Sequence, residues 1–162
     1  MSLPKINHHS VNVLCLKYGN RYPVEYVNKL YSGVKRNLKR PFTFHCCTED
    51  PEGLESNIRV IPFPENPGLS RPWPDVLVKL MLTQDGFGGL EGPTLFLDLD
   101  MVILGSIDPF FDYEKGKNCM IRNWVNLRKT LSGRRPLVGN SSVFRFEAGS
   151  SNYIYETFIR EM

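Results

Sequence analysis

Two aspartates one residue apart, Asp98 and Asp100, interrupt the most apolar stretch of the chain, Thr94 to Leu99 (TLFLDL) followed by Asp100 to Leu104. On a strand, side chains two apart face the same side with Cα atoms roughly 6.5 Å apart, so both carboxylates can reach one ion while Leu99 enters the opposite layer. Left unpaired at the end of an apolar strand they repel each other and resist burial, so a cation is expected to neutralise them. A hard divalent ion with oxygen ligands, Mn2+ or Mg2+, meets that need and keeps positions for water and phosphate. The plainer alternative for a bare Asp-x-Asp is that one carboxylate caps a turn and the other pairs at the surface. The flanks favour chemistry, since the pair follows a run of buried-strand character and precedes a second apolar run ending Ile107-Asp108-Pro109-Phe110-Phe111.

Other groups come into view around this pair. Lys79 falls on an apolar helical stripe, either as a solvated lysine or as a cation for phosphate. Trp124 with Arg128, Arg134 and Arg135 occupies a polar stretch, where an indole face can stack on sugar and guanidiniums can meet phosphate. A loop tryptophan covering the core, with arginines in water, accounts for the same residues. Cys15, Cys46, Cys47 and Cys119 lack the Cys-x-x-Cys spacing of zinc sites and read as reduced thiols, Cys15 and Cys46 packing as small hydrophobes. His8 and His9 fall in a polar leader.

The elements that must position these groups alternate. Val11 to Leu16 (VNVLCL) reads as a buried strand ending near Lys17, and Pro23 to Leu38 as a helix with Val27, Leu30, Tyr31 and Val34 on one stripe. Phe42 to Cys47 and Ile58 to Ile61 read as strands two and three, and the proline-rich 62–74 as an irregular loop. Val76, Leu77, Leu80 and Met81 resume a helical period that carries Lys79. A glycine-rich turn, Gly86 to Gly92, leads into Thr94 to Leu99, a central strand. Cys119 to Ile121 and Ser142 to Phe146 are later strands, Ala148 to Ser151 offers a cap, and Tyr153 to Ile159 reads as a final helix. This order predicts an α/β sandwich with a largely parallel sheet and a ligand site beyond the carboxyl ends of its strands.

The 162 residues are 41% hydrophobic and 23% charged, ordinary globular usage for one domain. A net charge of +3, from 20 basic and 17 acidic side chains, is too mild to imply nucleic acid. The sequence shows no leader and no apolar run long enough to span a bilayer, so a soluble, cytoplasmic protein is the expectation.

The run LFLDLDMVILGSIDPFFDY (95–113) resembles the metal-binding segment of GT-A glycosyltransferases, especially the glycogenin-like family 8. Three further pieces fall in the same order. VNVLCLKYGNRYP (11–23) resembles the family's nucleotide-binding start, WPDVLVKLML (73–82) the helix whose lysine faces the donor, and GNSSVFRFEAG (139–149) its Asn-Ser-Gly-Val-Phe strand. The resemblance implies a GT-A (Rossmann-like) α/β/α sandwich that moves a sugar from a nucleoside-diphosphate donor, with uridine the expected base, to an unknown acceptor. It implies Asp98 and Asp100 as manganese or magnesium ligands, Asp98 also touching the donor, and Lys79 as a donor-binding lysine. Leu16, Tyr18, Asn20 and Tyr22 would line the nucleotide pocket, and Asn140 and Ser141 would contact the sugar or acceptor, with Trp124 a further substrate candidate.

The sequence departs from this pattern at two points. No histidine follows His45 where the family supplies a late metal ligand, and Ser142 replaces the family's glycine. The expectation is a single GT-A-like domain over 1–162 that lacks the C-terminal part of the family's domain, its cation shell completed by phosphates and water. Two rivals stand beside this reading. A haloacid-dehalogenase-like phosphatase also uses Asp-x-Asp at a strand end, but there the motif continues Gly-Thr and opens the domain, whereas here Met101-Val102 follows, past the middle. A relative that binds nucleotide-sugar or carbohydrate without turnover fits the missing histidine.

Overall fold

The computed structural model describes residues 10–64, 75–123 and 138–161. β1 (Val11–Lys17) lies at the middle of a six-stranded sheet, paired in parallel with β2 (Phe42–Thr48) on one side and β4 (Pro93–Leu97) on the other. β3 (Ile58–Pro62) extends the sheet beyond β2 in parallel. β6 (Gly139–Glu147) runs antiparallel to β4, and β5 (Cys119–Arg122) antiparallel to β6, giving the order β3-β2-β1-β4-β6-β5. β6 alone reverses direction, so the sheet is mostly parallel, as its alternation with helices predicts.

Both faces of the sheet are covered, which explains why β1 is apolar at nearly every position instead of alternating. Val11, Val13 and Cys15 face α1 (Val24–Asn37), where Val27, Leu30, Tyr31 and Val34 form the stripe read from the sequence. Pro23 sits at the N-cap of this helix, and the extended Leu38 ends it. Leu14, Leu16 and Phe96 face the other way, onto Val78, Met81 and Leu82 of the segment Asp75–Thr83 and onto Phe87, Leu90 and Phe146. That segment is a 3-10 helix rather than the α-helix its periodicity suggested. A short helix, α2 (Pro109–Asp112), follows the aspartates, and α3 (Asn152–Arg160) packs on the 3-10 segment.

Two placements correct the expectations from sequence. The strand carrying the aspartates stops at Leu97, so Asp98, Leu99 and Asp100 form a turn and their orientation is not set by strand alternation. Ser151 stands at the N-cap of α3 but makes no capping bond; it is buried, and its hydroxyl accepts from Asn118 Nδ2. All four cysteines are free thiols, and burial pushes Cys47 up to about 12.

Candidate functional site

In an open α/β sheet the crevice for a ligand forms where successive connections leave one strand in opposite directions. Here that point lies between β1 and β4, because the chain proceeds from β1 to β2 and β3 on one side and places β4 on the other. A cleft of about 480 Å³ opens there, lined by Leu16, Tyr18, Asn20, Tyr22, Lys79, Asp98, Asp100 and Ser141 among others. These are residues flagged from the sequence on four separate segments.

Each wall has a local cause. The loop after β1 turns at Gly19, whose φ of +60° suits glycine and whose N–H donates to Glu49. Tyr18 packs its ring against Phe63, at 5.5 Å between centroids. Tyr22 leans across the mouth and donates its hydroxyl to Asp100 Oδ2 at 3.3 Å. Partial desolvation, then the Asp100 charge, raises the Tyr22 phenol above its ordinary value.

The floor is built around Asp98. Its backbone N–H donates to Ser142 O at 2.9 Å, extending the β4–β6 ladder one residue past the strand, and Met101 N–H then closes a turn onto Asp98 O. Lys79 Nζ sits 2.6 Å from Asp98 Oδ1, donates to Ser141 O at 3.1 Å and lies over the Phe96 ring at 5.1 Å. The lysine is therefore aimed into the cleft and held by an anion, a carbonyl and a ring face. Asn140 does not line the cleft. Its Oδ1 accepts the Ser142 N–H at 2.8 Å, an Asx-type turn that shapes the start of β6. Trp124, Arg128, Arg134, Arg135, His8 and His9 lie outside the described residues.

The donor set fits a hard divalent cation in part. Asp98 and Asp100 line the same cleft, each with one oxygen engaged, Oδ1 by Lys79 and Oδ2 by Tyr22 respectively. Among the described residues no three histidine, cysteine or acidic side chains gather. Two carboxylates are the number from which magnesium or manganese is commonly held when phosphates and water supply the other ligands.

Sequence reasoning did not single out Arg21 or Gly19, which also line the cleft; so does Leu99, which was expected in the opposite layer and is buried in the core under α1. Arg21 carries its guanidinium over the Tyr22 ring at 5.4 Å, and a basic residue within the Tyr18–Tyr22 loop was the available signal.

As a sequence the chain matches no family model and no curated protein. As a structure it is similar to an active-site mutant of LgtC, with a TM-score of 0.62 and 16% identity over 92% of this chain and 59% of that one. It is also similar to the apo-form glycosyltransferase GlyE of Streptococcus pneumoniae, with a TM-score of 0.58 and 15% identity over 94% of this chain and 37% of that one. The chain spans less than two thirds of either neighbour. At such identities the likeness establishes the fold, a GT-A-like α/β sandwich of the kind found in glycosyltransferases.

Proposed function

We propose that the chain is a glycosyltransferase domain that binds a nucleoside-diphosphate sugar, with uridine as its base, in the cleft between β1 and β4. One observation carries this reading: the residues that resemble the family's donor and metal positions, drawn from segments scattered between Leu16 and Ser141, line a single cleft at the topological switch point.

In this account Leu16, Tyr18 and Asn20 hold the base and ribose. Asp98 and Asp100 would hold manganese or magnesium, which supplies Lewis-acid neutralisation of the diphosphate. The bond between the anomeric carbon and the diphosphate oxygen breaks with its electron pair going to oxygen. An acceptor hydroxyl oxygen bonds to that carbon and releases its proton to solvent. Negative charge thus grows on the leaving diphosphate, and Lys79, already positioned by Asp98 and Ser141, is a preorganised cation for it. Ser141 and Ser142, at the start of β6, border the space left for the sugar.

The test is a screen of uridine, guanosine and adenosine diphosphate sugars by thermal shift with and without manganese, followed by donor-hydrolysis and transfer assays. A ligand that binds only the folded chain raises its apparent stability. A manganese-dependent shift with one donor and release of its nucleoside diphosphate are the expected results. Manganese-dependent binding with no hydrolysis or transfer would instead favour a binding module without turnover, a reading supported by the lack of a third acidic, histidine or cysteine ligand among the described residues. Phosphate release from simple monoesters, with no donor binding, would favour the phosphatase reading.

A further inference from the structure

The segment that follows the aspartate turn runs along α1. Ile103 packs on Gly33, 3.5 Å from where a β-carbon would stand there. Further on, Ile107 N–H donates to Asn37 O at 3.0 Å, and Lys39 N–H to Asp108 Oδ2 at 3.1 Å. From residue 101 the chain alternates: Met101 and Ile103 lean onto the core while Val102 and Leu104 turn outward. They are 76% and 92% exposed, the two most exposed large hydrophobic side chains among the described residues. Because Met101 and Ile103 are packed inward and the segment is tied to α1 beyond them, the outward pair is held in place.

Beside this pair lies a groove of about 290 Å³ whose lining includes Tyr26, Lys29, Gly33, Arg36, Val102 and Ile103. Lys29 and Arg36 are seven residues apart, two helical turns, so both exposed cations project from one stripe of α1. Exposed Lys35 and Lys39 add charge at the same end of the helix. Of the acidic groups nearby, Asp108 and Asp112 pair with Arg40. Asp100 lines the groove and accepts from Tyr22, and Glu25 stands one helical turn from Lys29, so the cations Lys29, Lys35, Arg36 and Lys39 still outnumber these two carboxylates.

We propose that this surface docks the chain on an anionic lipid bilayer, Val102 and Leu104 entering the acyl boundary and Lys29 and Arg36 meeting lipid phosphates. The pairing of charges with apolar tips selects the partner. Nucleic acid offers phosphates but no apolar layer for Leu104, whereas a bilayer presents both at adjacent depths. No described helix is long and apolar enough to cross a membrane; the proposed contact is with the bilayer surface. The segment begins at Asp100, which also lines the cleft, so docking would bring the cleft mouth close to the lipid surface. This inference does not depend on glycosyl transfer.

The experiment is co-sedimentation with vesicles of phosphatidylcholine alone and of phosphatidylcholine with phosphatidylglycerol, at low and raised salt. The chain should sediment with the anionic vesicles and be released by salt. Replacing Val102→Ser and Leu104→Ser together should weaken partitioning on the order of tenfold or more. Lys29→Gln with Arg36→Gln should weaken it on the order of thirtyfold, about 1 kcal/mol per basic residue. All four side chains are exposed, so circular dichroism and the thermal midpoint should match the wild type. Absence from both vesicle pellets, equal binding to both vesicles, or unchanged partitioning of the serine variant would overturn the proposal. So would a wild-type dimer that the serine variant abolishes, which would make this face a contact between copies.

Discussion

At the scale of the residue, Lys79 is the side chain whose role can be separated from its packing. Its ammonium touches Asp98 and Ser141 and faces the cleft, so Lys79→Ala removes a cation from the place where the proposed reaction would build charge. Turnover is expected to fall on the order of a hundredfold or more, measured as kcat on correctly folded protein. A variant with lowered thermal midpoint but unchanged kcat would make the lysine structural. His45 gives a second residue-scale prediction. Burial, then the Arg59 charge, lowers its imidazole from 6.5 to about 4, and its Nε2 contacts Asn12 Oδ1 at 3.1 Å. A folded value below the unfolded one means that the unfolded chain takes up the proton first. The stability contributed by neutral His45 is therefore whole above about pH 6.5 and is lost as pH falls toward 4. Urea midpoints measured across that window should decline, and His45→Gln should flatten the decline. That the carboxylate pair and the lysine would share one cleft was legible, because residue type, flank and order all pointed to them. Arg145 was not. It is fully buried in β6 and donates to the carbonyls of Phe110, Tyr113, Glu114 and Lys117, main-chain partners about thirty residues away that leave no mark in the sequence.

At the scale of the element, the long apolar periods were legible and the junctions were not. α1 matches its expected span to within a residue at each end, because an amphipathic stripe, a proline and a basic last turn all agree. The strand entering the aspartates was expected to carry them, yet ordered pairing stops at Leu97. The hydrogen bond that continues the ladder is donated by Asp98 N–H to the carbonyl of Ser142, a residue that sequence reasoning placed in another element without knowing its register. The 75–83 segment shares its apolar period with an α-helix, and periodicity over nine residues does not distinguish 3.6 from 3.0 residues per turn. The glycine-rich turn before β4 yields a testable constraint. Gly88 has φ of +57°, and a β-carbon there would stand 2.4 Å from Ile61 Cδ1, so Gly88→Ala strains the backbone and overpacks β3 at once. A loss of about 2 kcal/mol or more in denaturant unfolding is expected. Gly89→Ala, with φ of +65° but open space around it, should cost less, by the strain alone.

At the scale of the whole molecule, the β3-β2-β1-β4-β6-β5 order is what makes a cleft from groups dispersed along the chain. The alternation of strands and helices foretold a mostly parallel sandwich, and the fold likeness to LgtC and GlyE bears that out. The antiparallel β6 was not foreseen, although it turns the Ser141–Ser142 end of that strand toward the aspartates. If Asp98 and Asp100 hold a cation that grips a diphosphate, a calorimetric titration of uridine diphosphate with and without manganese into the wild type and Asp100→Asn will report it. Binding to the wild type is expected only with manganese, with a loss of at least about tenfold, 1.4 kcal/mol, in the variant. Equal affinity of the two proteins, or binding indifferent to the metal, would contradict it.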